Sequence, residues 1–154
     1  EAVIMGSEQR GLKLACAESC TGGLVGAALT SVPGSSAVFF GSAVCYSNTA
    51  KKSILSVSEA TLDHFGAVSP QCAAEMAEGA IRVFGTDLAV SVTGIAGPEG
   101  GSAQKPVGTV WFGIAGKGRT EAVKRLFPGD RNGIRKRACM FALLCLWRKV
   151  SEKE

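Results

Sequence analysis

Leu12-Lys13-Leu14-Ala15-Cys16-Ala17-Glu18-Ser19-Cys20-Thr21-Gly22-Gly23 runs from an apolar stretch through polar residues into a glycine pair. Leu12 to Ala17 is short and apolar, which reads as a buried strand. Thr21 to Val32 then sets Leu24, Val25, Ala28 and Leu29 on one helical face, and Pro33-Gly34 stops the helix. A strand that enters a helix through a glycine turn opens an α/β unit.

The same pattern recurs downstream. Ala37 to Tyr46 reads as a second strand, and short helical turns follow, the second ended by Gly66. Ser69-Pro70 starts a helix, with serine as cap and proline in the first turn. Ala73, Met76, Ala77, Ala80, Ile81 and Phe84 keep helical spacing up to Gly85. Leu88 to Val92 is a third strand, and 95–106 is a loop rich in glycine and proline. Val107 to Ala115 and Thr120 to Phe127 pair around the turn Gly116-Lys117-Gly118. Asp130 begins a last helix reaching about Ser151. Strands alternating with helices, then a hairpin, predict one layered α/β domain over 1–154 with a mixed sheet.

Composition supports a packed core. The chain has 154 residues, 46% hydrophobic and 19% charged. Its 20 glycines show no three-residue period, which excludes a collagen-like chain. The longest apolar run, Ala138 to Trp147, falls far short of the ~20 residues that a membrane span needs. Being apolar on every face, it predicts a deep helix or one covered by another subunit, hence a homo-oligomer. No basic start precedes an apolar segment, so no secretory signal is expected. The six cysteines include no C-x-x-C pair, and His64 is the one histidine, so a zinc site is not expected. Free thiols in apolar stretches suit a reducing cytoplasm.

Charge is uneven. Residues up to Gly116 carry six Lys/Arg against nine Asp/Glu, and those from Lys117 onward carry eleven against four. The basic end could face a phosphate or nucleic acid, or merely form solvated helix faces. Aromatic residues do not interleave with it, so a nucleic-acid groove is not expected.

Three polar, glycine-bearing segments follow strand ends: Glu18 to Gly23, Tyr46 to Lys51, and Thr93 to Pro98. Ligands of open α/β sheets bind beyond the carboxyl ends of strands, so these segments predict one site. The first turn could offer helix N-terminal N–H groups to a phosphate or oxyanion, with Gly22 and Gly23 allowing close approach. It could equally be a plain cap at Thr21 with a packing contact at the glycines. It matches neither the P-loop nor the G-x-S-x-G spacing. His64 lies in an ordinary amphipathic turn, so a hydroxyl nucleophile needs another base. Lys51, Lys105, Tyr46 and Glu18 are the candidates. Lys51 and Tyr46 also read as a surface lysine and a half-buried strand tyrosine. Arg131 and Arg135, one turn apart, could form a fork for phosphate or decorate a surface.

Together these segments resemble the CinA C-terminal domain family, whose stand-alone members include bacterial nicotinamide mononucleotide amidases. The resemblance runs along nearly the whole chain. It rests on Ala17 to Gly23, Tyr46-Ser47-Asn48 with Lys51, Gly66-Ala67-Val68-Ser69, and Thr93 to Pro98. It continues through Gly100-Gly101-Ser102, Lys105 to Val110 and Gly129-Asp130-Arg131. One departure is Cys45, where the family pattern has Thr. The resemblance implies a three-layer α/β/α domain with a five-stranded mixed sheet. It implies hydrolysis of the nicotinamide mononucleotide carboxamide to nicotinate mononucleotide and ammonia, without metal or other cofactor.

The catalytic set that the resemblance implies is Ser19, Tyr46 and Lys51. Ser19 attacks the amide carbon, and Lys51 takes its proton directly or through Tyr46. Glu18, Thr21, Gly22 and Gly23 are then expected in the substrate-binding turn, whose N–H groups hold the oxyanion or the substrate phosphate. Thr93, Gly94 and Lys105 are expected as binders, and Arg131 or Arg135 as the phosphate's counter-charge. Two other readings stay open: a nucleotide-binding module without the reaction, and a DNA-associated accessory drawing on the basic end.

Overall fold

The structure is a computed structural model and describes residues 1–152. Its helices are α1 (Ala2–Gln9), α2 (Leu24–Thr30), α3 (Asn48–Leu55), α4 (Glu59–Phe65), α5 (Pro70–Phe84) and α6 (Arg131–Ser151). Its strands are β1 (Leu14–Glu18), β2 (Phe39–Val44), β3 (Leu88–Gly94), β4 (Thr109–Gly116) and β5 (Arg119–Leu126). The sheet order is β2-β1-β3-β4-β5. β1 pairs in parallel with both β2 and β3, while β3–β4 and β4–β5 are antiparallel. The sheet is thus mixed, as the final hairpin predicted.

Period-two alternation sorts the central strands onto two faces. Leu14, Cys16, Leu88, Val90 and Val92 pack with residues of α1, α2 and α6 in one cluster. Ala15, Ala17 and Ala89 pack with α3, α4 and α5 in the other. The second face carries small side chains, so α5 sits close to the sheet. A Cβ at Gly113 would stand 2.1 Å from the Ala73 carbonyl oxygen. The result is a three-layer α/β/α fold.

Several boundaries differ from the sequence reading. α1 was not anticipated: Glu1 gives it no side-chain cap, and α1 instead packs on α6, where a Cβ at Gly6 would meet Val150 at 2.8 Å. Packing rather than local signal makes this helix. α2 starts at Gly23 as cap, not Thr21. Residues Ser35–Ala37 form a 3-10 turn, so β2 starts later than read, and Tyr46 lies past its end. α5 keeps its expected start, because the Ser69 hydroxyl accepts from Cys72 N and Pro70 follows. α6 is not buried all round. Ala138, Cys139, Ala142, Cys145 and Leu146 face the core, whereas Met140 and Trp147 are 65% and 45% exposed. No helix of the described residues is long and apolar enough to cross a membrane.

Candidate active site

Alternation decides where Ser19 points. Glu18 follows Leu14 and Cys16 onto the α2/α6 side, so the next residue turns to the α3/α5 side. There Ser19 Oγ lies 3.0 Å from Lys51 Nζ. Lys51 arrives from α3, which Ser47 caps by accepting from Ala50 N at 3.1 Å. Lys51 and Leu55, one turn apart, form the buried face of that helix. Lys51 is 1% exposed. Its Nζ also donates to the carbonyls of Cys45 (3.1 Å) and Tyr46 (3.4 Å). No carboxylate pairs with it among the described residues. Burial pushes its pKa below the ordinary lysine range, against the smaller upward pull of the Cys72, Cys45 and Cys20 thiols.

Tyr46 takes a different place. The residue is 62% exposed. Its hydroxyl accepts from Arg131 Nη2 at 2.8 Å, and Arg131 Nη1 donates to the Gly97 carbonyl at 2.7 Å. Tyr46 therefore touches Lys51 through its carbonyl and Arg131 through its phenol. Arg131 is the first residue of α6, which Asp130 caps by accepting from Gly133 N at 2.8 Å.

Ser19, Tyr46, Lys51, Thr93, Gly94 and Arg131 share one cleft of about 260 Å³. Five of its other lining residues had no assigned role: Cys20, Asn48, Ala67, Val68 and Ala96. Asn48 and the Ala67-Val68 pair lie inside motifs already quoted, which is the signal that could have marked them. Thr93 ties two walls together, since its hydroxyl donates to the Ala67 carbonyl at 2.7 Å.

The remaining candidates lie elsewhere. Glu18 is fully buried, and its carboxylate accepts from Gly23 N (3.0 Å), Val25 N (3.0 Å), Gly26 N (2.9 Å) and the Ser42 hydroxyl (2.7 Å). It caps α2 from below and engages those amides, so Gly23 has no N–H left for a ligand. Thr21 is fully buried, with its hydroxyl unpartnered. Gly22 donates to the Ser19 carbonyl at 3.0 Å, closing a turn. Arg135 donates to the carbonyls of Cys20 (Nε, 3.0 Å) and Thr21 (Nη2, 3.1 Å) rather than facing the cleft. Lys105 donates to the Phe65 carbonyl at 2.7 Å and lines a neighbouring cleft across Val68.

The basic end is dispersed. Lys124 lies over Trp111, Arg125 over Phe141, and Lys149 pairs with Glu121 and Glu152. His64 binds the Ala60 carbonyl of its own helix. Among the described residues, no three His, Cys, Asp or Glu side chains gather as metal ligands.

The family model of the CinA C-terminal domain matches residues 1–150. The chain belongs to the CinA C-terminal domain family. It is 56% identical over 135 residues to a nicotinamide-nucleotide amidohydrolase, PncC, of Enterobacter agglomerans, a match covering 87% of this chain and 82% of that protein. A CinA-like protein of Pseudothermotoga lettingae is 46% identical over 151 residues, taking in 98% of this chain but 37% of that longer protein. Among solved structures, competence damage-inducible protein A of Klebsiella pneumoniae superposes with a TM-score of 0.95 at 38% identity, covering 99% of this chain and 95% of that one. The competence/damage inducible protein CihA of Agrobacterium tumefaciens gives 0.92 at 43% identity, covering 97% and 92%.

Proposed function

We propose that this chain hydrolyses the carboxamide of nicotinamide mononucleotide, giving nicotinate mononucleotide and ammonia. The supporting observation is the buried amine of Lys51, 3.0 Å from Ser19 Oγ, in a family member 56% identical to a nicotinamide-nucleotide amidohydrolase.

Lys51 Nζ donates to Ser19 Oγ and to the Cys45 and Tyr46 carbonyls. The reaction uses the neutral amine, which keeps two N–H groups on the carbonyls and turns its lone pair to the Ser19 hydroxyl. Ser19 Oγ attacks the amide carbon as its proton passes directly to Nζ. The C–N bond then breaks, Lys51 returns that proton to the leaving nitrogen, and ammonia departs from a Ser19 ester. Water attacks the ester, again losing its proton to Lys51, which passes it to Ser19 as the acid leaves. The α2 amides held by Glu18 are not free to stabilise the oxyanion. That role falls to donors of the cleft lining such as the Asn48 side-chain amide. Arg131 supplies positive charge for the phosphate. Tyr46 orients Lys51 through its carbonyl and Arg131 through its hydroxyl.

Self-association through the exposed Met140–Trp147 side of α6, and action in a reducing cytoplasm, complete this reading. Sedimentation velocity tests the first. For the reaction, purified protein is incubated with nicotinamide mononucleotide, and ammonia and the acid product are quantified. Stoichiometric ammonia lost in Ser19→Ala is expected. Tight binding of the mononucleotide with no ammonia would replace this reading with a non-catalytic nucleotide module.

A further inference from the structure

The turn that carries Ser19 is gripped from two sides. Below it, Glu18 accepts the amides of Gly23, Val25 and Gly26. Above it, the Arg135 guanidinium reaches across from α6 to the carbonyls of two successive residues, Cys20 and Thr21. An anion thus holds N–H groups downstream, and a cation holds C=O groups upstream. Gly22 stands between them with φ +59, and a Cβ there would lie 3.1 Å from Arg135 Nη2. The glycine is needed for its backbone conformation, and it also leaves the guanidinium its place. α6 is fixed around Arg135, because Ile134 and Ala138 are sealed in the core.

We propose that Arg135 is a positioning residue for the nucleophile: by binding the Cys20 and Thr21 carbonyls it fixes the turn that aims Ser19 Oγ at Lys51. This rests on the amidase reading for its kinetic consequence, but the turn geometry itself does not. Arg135 does not line the cleft, so it holds the attacking atom rather than the ligand. The planar fork matters, because two N–H groups must meet two carbonyls at once. A misplacement of about 1 Å at a reacting atom lowers turnover by as much as 100-fold.

The test compares wild type, Arg135→Lys and Arg135→Ala. Two readouts are taken: steady-state kinetics with nicotinamide mononucleotide, and amide hydrogen exchange of the peptide spanning residues 19–24, with α5 as an internal reference. In Arg135→Ala, kcat is expected to fall about tenfold to 100-fold while KM stays within about twofold. Exchange at 19–24 accelerates while α5 keeps its rate. Added guanidinium ion at low millimolar concentration restores both readouts in Arg135→Ala, and Arg135→Lys recovers them only in part. A rise in KM with kcat retained would overturn the proposal and return Arg135 to phosphate binding. Loss without rescue, with exchange raised equally in α5, would overturn it in favour of a general structural role. If wild type releases no ammonia, the amidase reading fails alone. Exchange at 19–24 with guanidinium rescue still decides Arg135, and unchanged exchange in Arg135→Ala overturns the proposal.

Discussion

Lys51 Nζ and Ser19 Oγ, 32 residues apart in the chain, lie 3.0 Å apart, and Lys51 is 1% exposed. Burial lowers the lysine pKa. Because the proposed base is the neutral amine, log(kcat/KM) should rise with unit slope as pH increases and level off above the Lys51 pKa, below the usual lysine range. Lys51→Arg should abolish turnover, since arginine stays charged. An active Lys51→Arg would remove Lys51 as the base.

Tyr46→Phe separates the phenol from the peptide. The substitution keeps the Tyr46 carbonyl on Lys51 and deletes only the hydroxyl that Arg131 Nη2 meets at 2.8 Å. KM should rise several-fold, with kcat within about tenfold of wild type. A kcat loss matching Ser19→Ala would instead put the phenol in the proton path.

Glu18 has four donors on one buried carboxylate. In Glu18→Gln, an NH₂ group must face an N–H or hydroxyl that had an acceptor. An unsatisfied buried donor costs about 1–3 kcal/mol, and the bonds to a charged acceptor are also lost. Urea unfolding should show destabilisation on the order of 2–4 kcal/mol. A loss below about 0.5 kcal/mol would mean that α2 does not depend on this cap.

These contacts also show what could be read from the chain. The segments that carry Ser19 and Lys51 were legible as neighbours because each follows the end of a strand, β1 or β2, whereas the pairing of the two side chains came from the family resemblance. Glu18 was misplaced because caps are sought locally at Ser, Thr, Asp or Asn, whereas this one rises from a strand five residues before Gly23. Arg135 was no more accessible, being 115 positions from Cys20. Its pairing with Arg131 suggested a common ligand, yet the two side chains reach different loops. Lys105 sat within a shared motif but reaches the Phe65 carbonyl, a contact that no periodicity announces.

Gly113 tests how closely α5 is seated. Ser91 Oγ donates to the Ala73 carbonyl at 2.5 Å and accepts from Gly113 N at 3.1 Å, bridging β3, β4 and α5. In Gly113→Ala the new methyl would lie 2.1 Å from that carbonyl oxygen and 2.6 Å from Ser91 Oγ, so α5 must lift and the bridge must open. Destabilisation of about 3 kcal/mol is expected. Gly34→Ala serves as the comparison. Its Cβ meets nothing within 4 Å, but φ is +81, so only backbone strain of about 1–2 kcal/mol applies. Denaturant unfolding of both variants should rank Gly113→Ala as the costlier. Equal losses would show that the overlap relaxes freely and that α5 is not held against the sheet by this contact.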